Sequence, residues 1–379
     1  MKNKITGLTL GAILMLSTST LLADNNDIAK LVKDVNMLKL KSQNLQANLE
    51  GNAKSGFQIA GYAAFDWQNV EGSNSKFSGV KFAPIFHAKY SDIFQFEGEL
   101  EFGISETGET TTDLEYAAGT IFLNDYMGLQ VGKFMSPIGQ FVQNQHPSWI
   151  NKLPNTPLGF GHDGAAPTSN IGIALRGGLP KILNIRSNYA LFMSNAPTFG
   201  KAADGDVIIN ATGVTSSGNV ANNIGGRYAL NPISGMEVGF SASKGEVSET
   251  VTVNTIARDY SVVGADFMYN FNSIDIKAEY VSQTIGENSA STLEGGTWKA
   301  LYAQVSYQFS SIAIEPVIRY SDYHNPDMKT NQIAIGLNYL FANNLIAKFA
   351  YEYNKDENSD AINSIANNNK MLAQLAFGF

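Results

Sequence analysis

Histidine is scarce in this chain, four residues in all, and two of them, His146 and His162, fall in one segment, residues 136–170. Asp163 follows the second, and Trp149 and Lys152 lie between them. Two imidazoles and a carboxylate are donors a divalent metal uses. A spacing of sixteen residues with no third clear ligand instead suits hydrogen-bonding loop residues. In the same segment Gly159, Gly161 and Gly164 meet the G-x-G-x-x-G spacing of a phosphate cradle. No strand pattern precedes them and no amphipathic helix follows, so turn glycines are the ordinary explanation. There is no G-x-S-x-G elbow, and without cysteine neither thiolate nucleophiles nor Cys-based zinc sites exist. Neither an enzyme nor a cofactor is expected.

A second set of charged residues is more orderly. Glu97, Glu99 and Glu101 occupy alternate positions, with Glu115 beyond them and Lys81, His87 and Lys89 before them. Further on, Arg176, Arg186 and Arg227 fall on the polar parity of their own segments. Alternate spacing puts such residues on one face of a strand. The expectation is an acidic wall facing a basic wall, with the three arginines at similar height. Lys277 with Asp275 and Glu279, and Glu315 with Arg319, read as mutual neutralisation. The bland alternative for any one of these residues is a solvated polar face. A formal net charge of −8 argues against nucleic acid as a partner.

The elements that hold these residues follow a two-residue rhythm. From Gly56 onward Phe57, Ile59, Ala63, Phe65 and Trp67 share one parity while Gln58, Tyr62, Asp66 and Gln68 share the other. Comparable alternation recurs to Phe379. Segments beginning near residues 57, 77, 94, 113, 129, 169, 182, 222, 236, 260, 274, 298, 312, 330, 345 and 370 give sixteen expected strands. Tight turns are expected at 91–92, 124–128, 178–181, 231–235, 272–273, 310–311 and 342–344, and longer polar loops at 195–221, 245–258, 286–296 and 355–369. An even strand number with short turns at one rim and long loops at the other is the pattern of an outer-membrane barrel. Tyr90, Phe94, Phe271, Phe309, Phe341 and Phe379 lie beside the short turns, where an interfacial girdle belongs. A soluble sandwich core also alternates, but it has no reason to sort its loops.

Residues 136–170 interrupt the rhythm. They carry five of the eleven prolines together with Phe141, Trp149, Ile150, Leu153, Leu158 and Phe160. So much apolar surface must fold against something, and a loop folded into the barrel satisfies it.

Two further segments precede the barrel. Residues 1–23 read as a secretory signal, with Lys2 and Lys4 before a short apolar run. Within 24–55, Ile28, Leu31, Val35, Leu38, Leu45 and Leu49 follow three- and four-residue steps, the seam of a short coiled coil. That helix is expected to project into the periplasm. The barrel occupies 56–379.

Gly132, Phe134, Pro137 and Gly139 match the Gly-x-Phe-x-x-Pro-x-Gly stretch with which porins of the phosphate-selective O/P type enter their third, constricting loop. With the signal, the coiled coil, sixteen strands and a terminal phenylalanine, the mature chain resembles those porins, including relatives with an N-terminal coiled coil. The resemblance implies a homotrimer of water-filled channels in outer-membrane lipid. The chain departs from the family at the constriction, where Lys152 is the only lysine or arginine of residues 136–170. The expected function is passive diffusion of small hydrophilic solutes or ions, anion-preferring if the arginines govern it. The alternative is a structural or adhesive barrel whose long loops bind outside partners.

Overall fold

The computed structural model describes residues 55–379 except 106, 162–163, 202–206, 214–221, 251–254, 292, 310 and 357–367. The expected signal and coiled coil lie outside the described residues. Eighteen strands form one sheet among the described residues. In chain order they are β1 (Ser55–Val70), β2 (Lys76–Tyr90), β3 (Phe94–Ile104), β4 (Thr110–Asn124), β5 (Met127–Met135), β6 (Ser169–Ile182), β7 (Ile185–Asn195), β8 (Thr198–Lys201) and β9 (Val207–Asn210). The second half comprises β10 (Asn222–Asn231), β11 (Met236–Thr250), β12 (Thr255–Phe271), β13 (Ile274–Ile285), β14 (Gly296–Tyr307), β15 (Ile314–His324), β16 (Lys329–Ala342), β17 (Leu345–Asp356) and β18 (Lys370–Gly378).

Consecutive strands pair antiparallel from β1 to β7 and from β10 to β18, β7 pairs with β10 across the small hairpin β8–β9, whose β8 runs parallel to β11, and β18 pairs with β1. Setting aside β8 and β9, the eighteen strands leave sixteen in a closed antiparallel barrel, as the sequence predicts. Closure leaves no edge, so the backbone amides of the sixteen strands find partners within the ring.

The two faces of the barrel separate by parity. Along β16, Ile333, Ile335, Leu337, Tyr339 and Phe341 are exposed and face outward, while Gln332, Ala334 and Asn338 are buried inward. Aromatic side chains near the short turns pack against one another: Tyr307 with Phe309, Tyr339 with Phe341, and Phe377 with Phe379. At the other end of the apolar band stand Tyr320, Tyr351 and Tyr353. An apolar exterior belted by aromatics suits a lipid surround.

The rims are unequal, as expected, with two differences. The turn expected at 178–181 lies instead at Leu183 and Asn184, whose positive φ values of 51° and 65° match the two-residue hairpin geometry that follows strand twist. Gly178 and Pro180 remain in β6, beside a register shift between Leu179 and Ile182 that absorbs the proline. The loop expected over 245–258 is mostly strand, since β11 and β12 pair without interruption from Met236↔Tyr269 to Thr250↔Thr255.

The interior is only half polar. Val247, Tyr260, Val262, Val281, Ile285, Trp298, Ala300 and Tyr302 point inward from β11–β14 and form a core with Phe134, Ile138, Phe141, Val142, Phe160, Phe199 and Ile209. The inserted loop and the β8–β9 hairpin therefore pack inside the barrel as its hydrophobic filling. Parity on these strands marks the inside, but inside is not everywhere wet.

Candidate functional site

The inserted loop begins where β5 ends. Gly139, at φ +75°, brings the backbone so close to Glu279 of β13 that a Cβ there would overlap the carboxylate. Glu279 then accepts the backbone N–H groups of Gln140 and Phe141 at 3.0 and 2.8 Å. A single π-helical turn, Phe141–Gln145, follows. Its Phe141 stacks edge-on to Phe160 and to Tyr302 of β14.

The rest of the loop is tied along the wall from β15 to β18. Lys152 pairs with Glu315 at 2.7 Å, and Glu315 also accepts from Ser306 and Asn338. Lys348 of β17 is buried and donates to the carbonyl oxygens of Ser148 and Asn151 and to Gln374. Arg319 donates to the carbonyls of Asn155 and Thr156, at 3.0 and 3.2 Å. Leu153, fully buried, packs among Val317, Ala334, Ala350 and Leu372. Trp149 lies flat against Gly378, where any side chain would collide with the ring. The neutralisation expected between Glu315 and Arg319 is replaced by Lys152 on the one and Glu352, at 3.9 Å, on the other. Lys277 does approach Asp275, at 3.5 Å.

The facing wall, β1–β4, carries the acidic set. Glu97 pairs with His87 at 2.9 Å, in the cross-strand register expected from the turn at Ser91, and Glu101 pairs at 2.7 Å with Lys81, which registers with Gly103. Glu99 is buried, accepts the Tyr62 hydroxyl at 2.8 Å, and lies 3.6 Å from Nε2 of His146 on the loop. Glu115 is buried where β4 holds one residue more than β3 between the Glu99 and Leu100 pairings. Lys89 turns away to Asp92 at the rim, 3.0 Å, so it adds nothing to this wall.

The expected row of three arginines is corrected to two, of which one is neutralised. Arg176 and Arg227 both register with Ala190 from opposite sides and so stand at one height. Arg186 registers with Asn231, four residues nearer the rim, roughly 13 Å along the strand. Arg227 is held by Asp266 at 2.5 and 2.9 Å and by Glu237 at 2.7 Å. Two carboxylates on one guanidinium leave an excess negative charge. Among the described residues Arg176 has no carboxylate within ion-pair reach; with its amide oxygen turned inward, Gln143 of the loop accepts from it at 2.8 and 3.1 Å.

Two polar cavities flank the loop. The one towards the short turns, about 570 Å³, is lined by Glu97, Asp125, Gln143, Arg176, Arg227 and Glu237, among others. The one towards the long loops, about 800 Å³, is lined by Asp66, Lys81, His146, Glu352, Asp356 and Lys370 with several amides. Of the sequence candidates, Glu97, Arg176 and Arg227 meet at the first cavity and Lys81 and His146 at the second. Lys152 and Trp149 act against the wall, and His162 and Asp163 lie outside the described residues. Sequence reasoning missed Glu237, Asp266, Lys348 and Glu352, and it read Glu279 as a partner of Lys277 rather than as the anchor of the loop amides. One signal was legible: counting from the turns sets Gly239 opposite Asp266 and beside Arg227, where a missing side chain makes room for the ion pair.

No protein-family model matches the chain, and no curated protein sequence matches it. Solved structures do match in fold. An anion-selective porin from Comamonas acidovorans superposes with TM-score 0.58 at 12% identity, covering 86% of this chain and 100% of that one. Salmonella typhi OmpF, in complex with daunomycin, gives 0.58 at 14% identity over 86% and 99%. The outer membrane channel DcaP of Acinetobacter baumannii gives 0.55 at 10% identity over 86% and 98%. The barrel therefore has the fold of outer-membrane porins.

Proposed function

We propose that the chain is an outer-membrane porin, a passive diffusion pore for small hydrophilic solutes and ions. The observation that carries this reading is a closed barrel, greasy outside, whose inserted loop lies within it with a polar cavity on either side. A solvated passage lined by fixed charge needs no cofactor and no covalent step, and gradients drive flux. Narrow polar lumens bounded by low-dielectric walls amplify whatever charge they carry.

The sign of that charge follows from the ion pairs. Around the first cavity Glu97, Asp125 and Glu237 outnumber Arg176 and Arg227, and Glu99 and Glu101 stand on the adjoining wall. We therefore read the pore as cation-preferring, against the anion preference that an unpaired arginine row would give and against the name carried by the Comamonas neighbour. Assembly as a homotrimer and membership of the phosphate-selective O/P type belong to the same reading. The short motif from Gly132 to Gly139 and the trimer form known for a neighbouring fold, Vibrio cholerae OmpT, support them.

The test is conductance of the purified protein in planar bilayers under a salt gradient. Ohmic channels with a reversal potential of cation-selective sign are expected. Silent membranes would sink the pore, and anion-selective reversal would sink only the charge assignment.

A further inference from the structure

We propose that His146 and Glu99 form a proton-operated latch between the inserted loop and the acidic wall. The proposal deepens the pore reading, on which its consequence for current rests. Elsewhere the loop is tied by its backbone amides on Glu279, its backbone carbonyls on Arg319 and Lys348, the Lys152–Glu315 pair, Gln143 on Arg176 and the apolar packing of Leu153. On the acidic wall it meets Glu99 through His146.

The hydrogen bonds settle which nitrogen of His146 carries the hydrogen. Nδ1 lies 2.7 Å from the carbonyl oxygen of Val142, and a carbonyl only accepts, so Nδ1 donates. In a neutral ring Nε2 is then a lone pair. It is buried, has no hydrogen-bond partner, and faces Glu99 Oε1 at 3.6 Å. Two acceptors so placed repel. One added proton on Nε2 turns the same geometry into an imidazolium–carboxylate pair, with the Tyr62 hydroxyl completing the coordination of Oε1.

Other groups surround the pair. Glu101 of β3 also accepts from Tyr62 and is partly offset by Lys81 of β2, while Tyr116 of β4 donates to Glu99 and Glu115 of β4 stands nearby. The Tyr62 ring meets the imidazole edge-on at 6.4 Å. Across the upper cavity stand Asp66 of β1, Glu352 and Asp356 of β17 and Lys370 of β18; Lys348 of β17 reaches the loop two residues on, at the Ser148 carbonyl. Gaining the proton on Nε2 closes the latch and losing it opens the latch.

The experiment compares wild type with His146→Gln and His146→Ala at about pH 5 and about pH 8, the ends of the histidine range. Heat-modifiable electrophoretic migration confirms that each barrel is folded. Wild-type channels are expected to be quiet in acid and to fluctuate in alkali. The glutamine amide donates to Glu99 at either pH, so His146→Gln stays quiet at both; His146→Ala fluctuates at both. Amide exchange across residues 140–150, corrected for its intrinsic pH dependence, reads the same latch without current. Silent membranes with pH-dependent, His146-dependent exchange would remove the pore and keep the latch. Equal wild-type behaviour at both pH values, or pH dependence surviving in His146→Ala, overturns the latch.

Discussion

The two inner walls of this barrel are made of the same kind of strand and have opposite chemistry. From β10 to β18 the inward face carries the apolar core, the buried Arg227–Asp266 pair and the groups that hold the inserted loop, Glu279, Glu315, Arg319 and Lys348. From β1 to β4 it carries Glu97, Glu99, Glu101 and Glu115; Glu97 and Glu101 pair with the partly exposed His87 and Lys81, and Glu97 lines the first cavity. The first wall holds the loop and the second meets the solute. A substitution on the covered wall should therefore cost stability, and one on the open wall should change selectivity with little effect on stability.

The largest expected effect is Arg227→Ala. Removing the guanidinium strands Asp266, almost fully buried, and Glu237 together. Breaking a buried pair by deleting one partner costs about 3–5 kcal/mol. Denaturant unfolding of the protein in lipid vesicles measures it, and a loss under about 1 kcal/mol, the range of an exposed pair, would erase the difference between the walls. Next comes Leu153→Ala. Its side chain sits at 0% exposure against β15–β18, and truncating a buried leucine costs about 2–5 kcal/mol. Here the loss falls on loop docking rather than on the closed sheet. The expected readout is faster proteolysis of residues 136–168 with unchanged heat-modifiable migration; an intact loop would show that its polar ties suffice.

The same contrast explains what the sequence disclosed. Strand starts at Phe94, Ser169, Asn222, Met236, Ile274, Leu345 and Lys370 were readable because parity and turn residues are local signals. The pairing of His87 with Glu97 was readable because one tight turn sets it. The loop anchors were not, because Gln140 and Glu279, or Lys152 and Glu315, meet only after the sheet closes. The β8–β9 hairpin was hidden for a different reason: strands of four residues leave too few periods to recognise. Tyr260, Val262 and Val263 did carry a trace of the filled interior, since both parities there are apolar. Arg227 misled because a cation on the polar parity looks free until its neighbours across two strands are placed beside it.

The smallest stability effect and the cleanest selectivity effect belong to the open wall. Glu97 and Glu101 are half-buried, and each already shares its charge with a partner, His87 or Lys81. Replacing both with glutamine keeps the hydrogen-bonding shape and removes two negative charges. Pairs of this exposure contribute below about 1 kcal/mol, so the unfolding midpoint should scarcely move. The field in the passage changes more, because Lys81 is left without its counter-ion and the carboxylates no longer attract cations towards the loop. The reversal potential should shift towards anions. Arg186→Gln is the matched control: Arg186 is exposed near the rim, away from Arg176 and Arg227, and its loss should move neither reading. If Arg186→Gln shifts the reversal potential as far as the double glutamine variant does, selectivity is set at the rim, and the open wall loses its role.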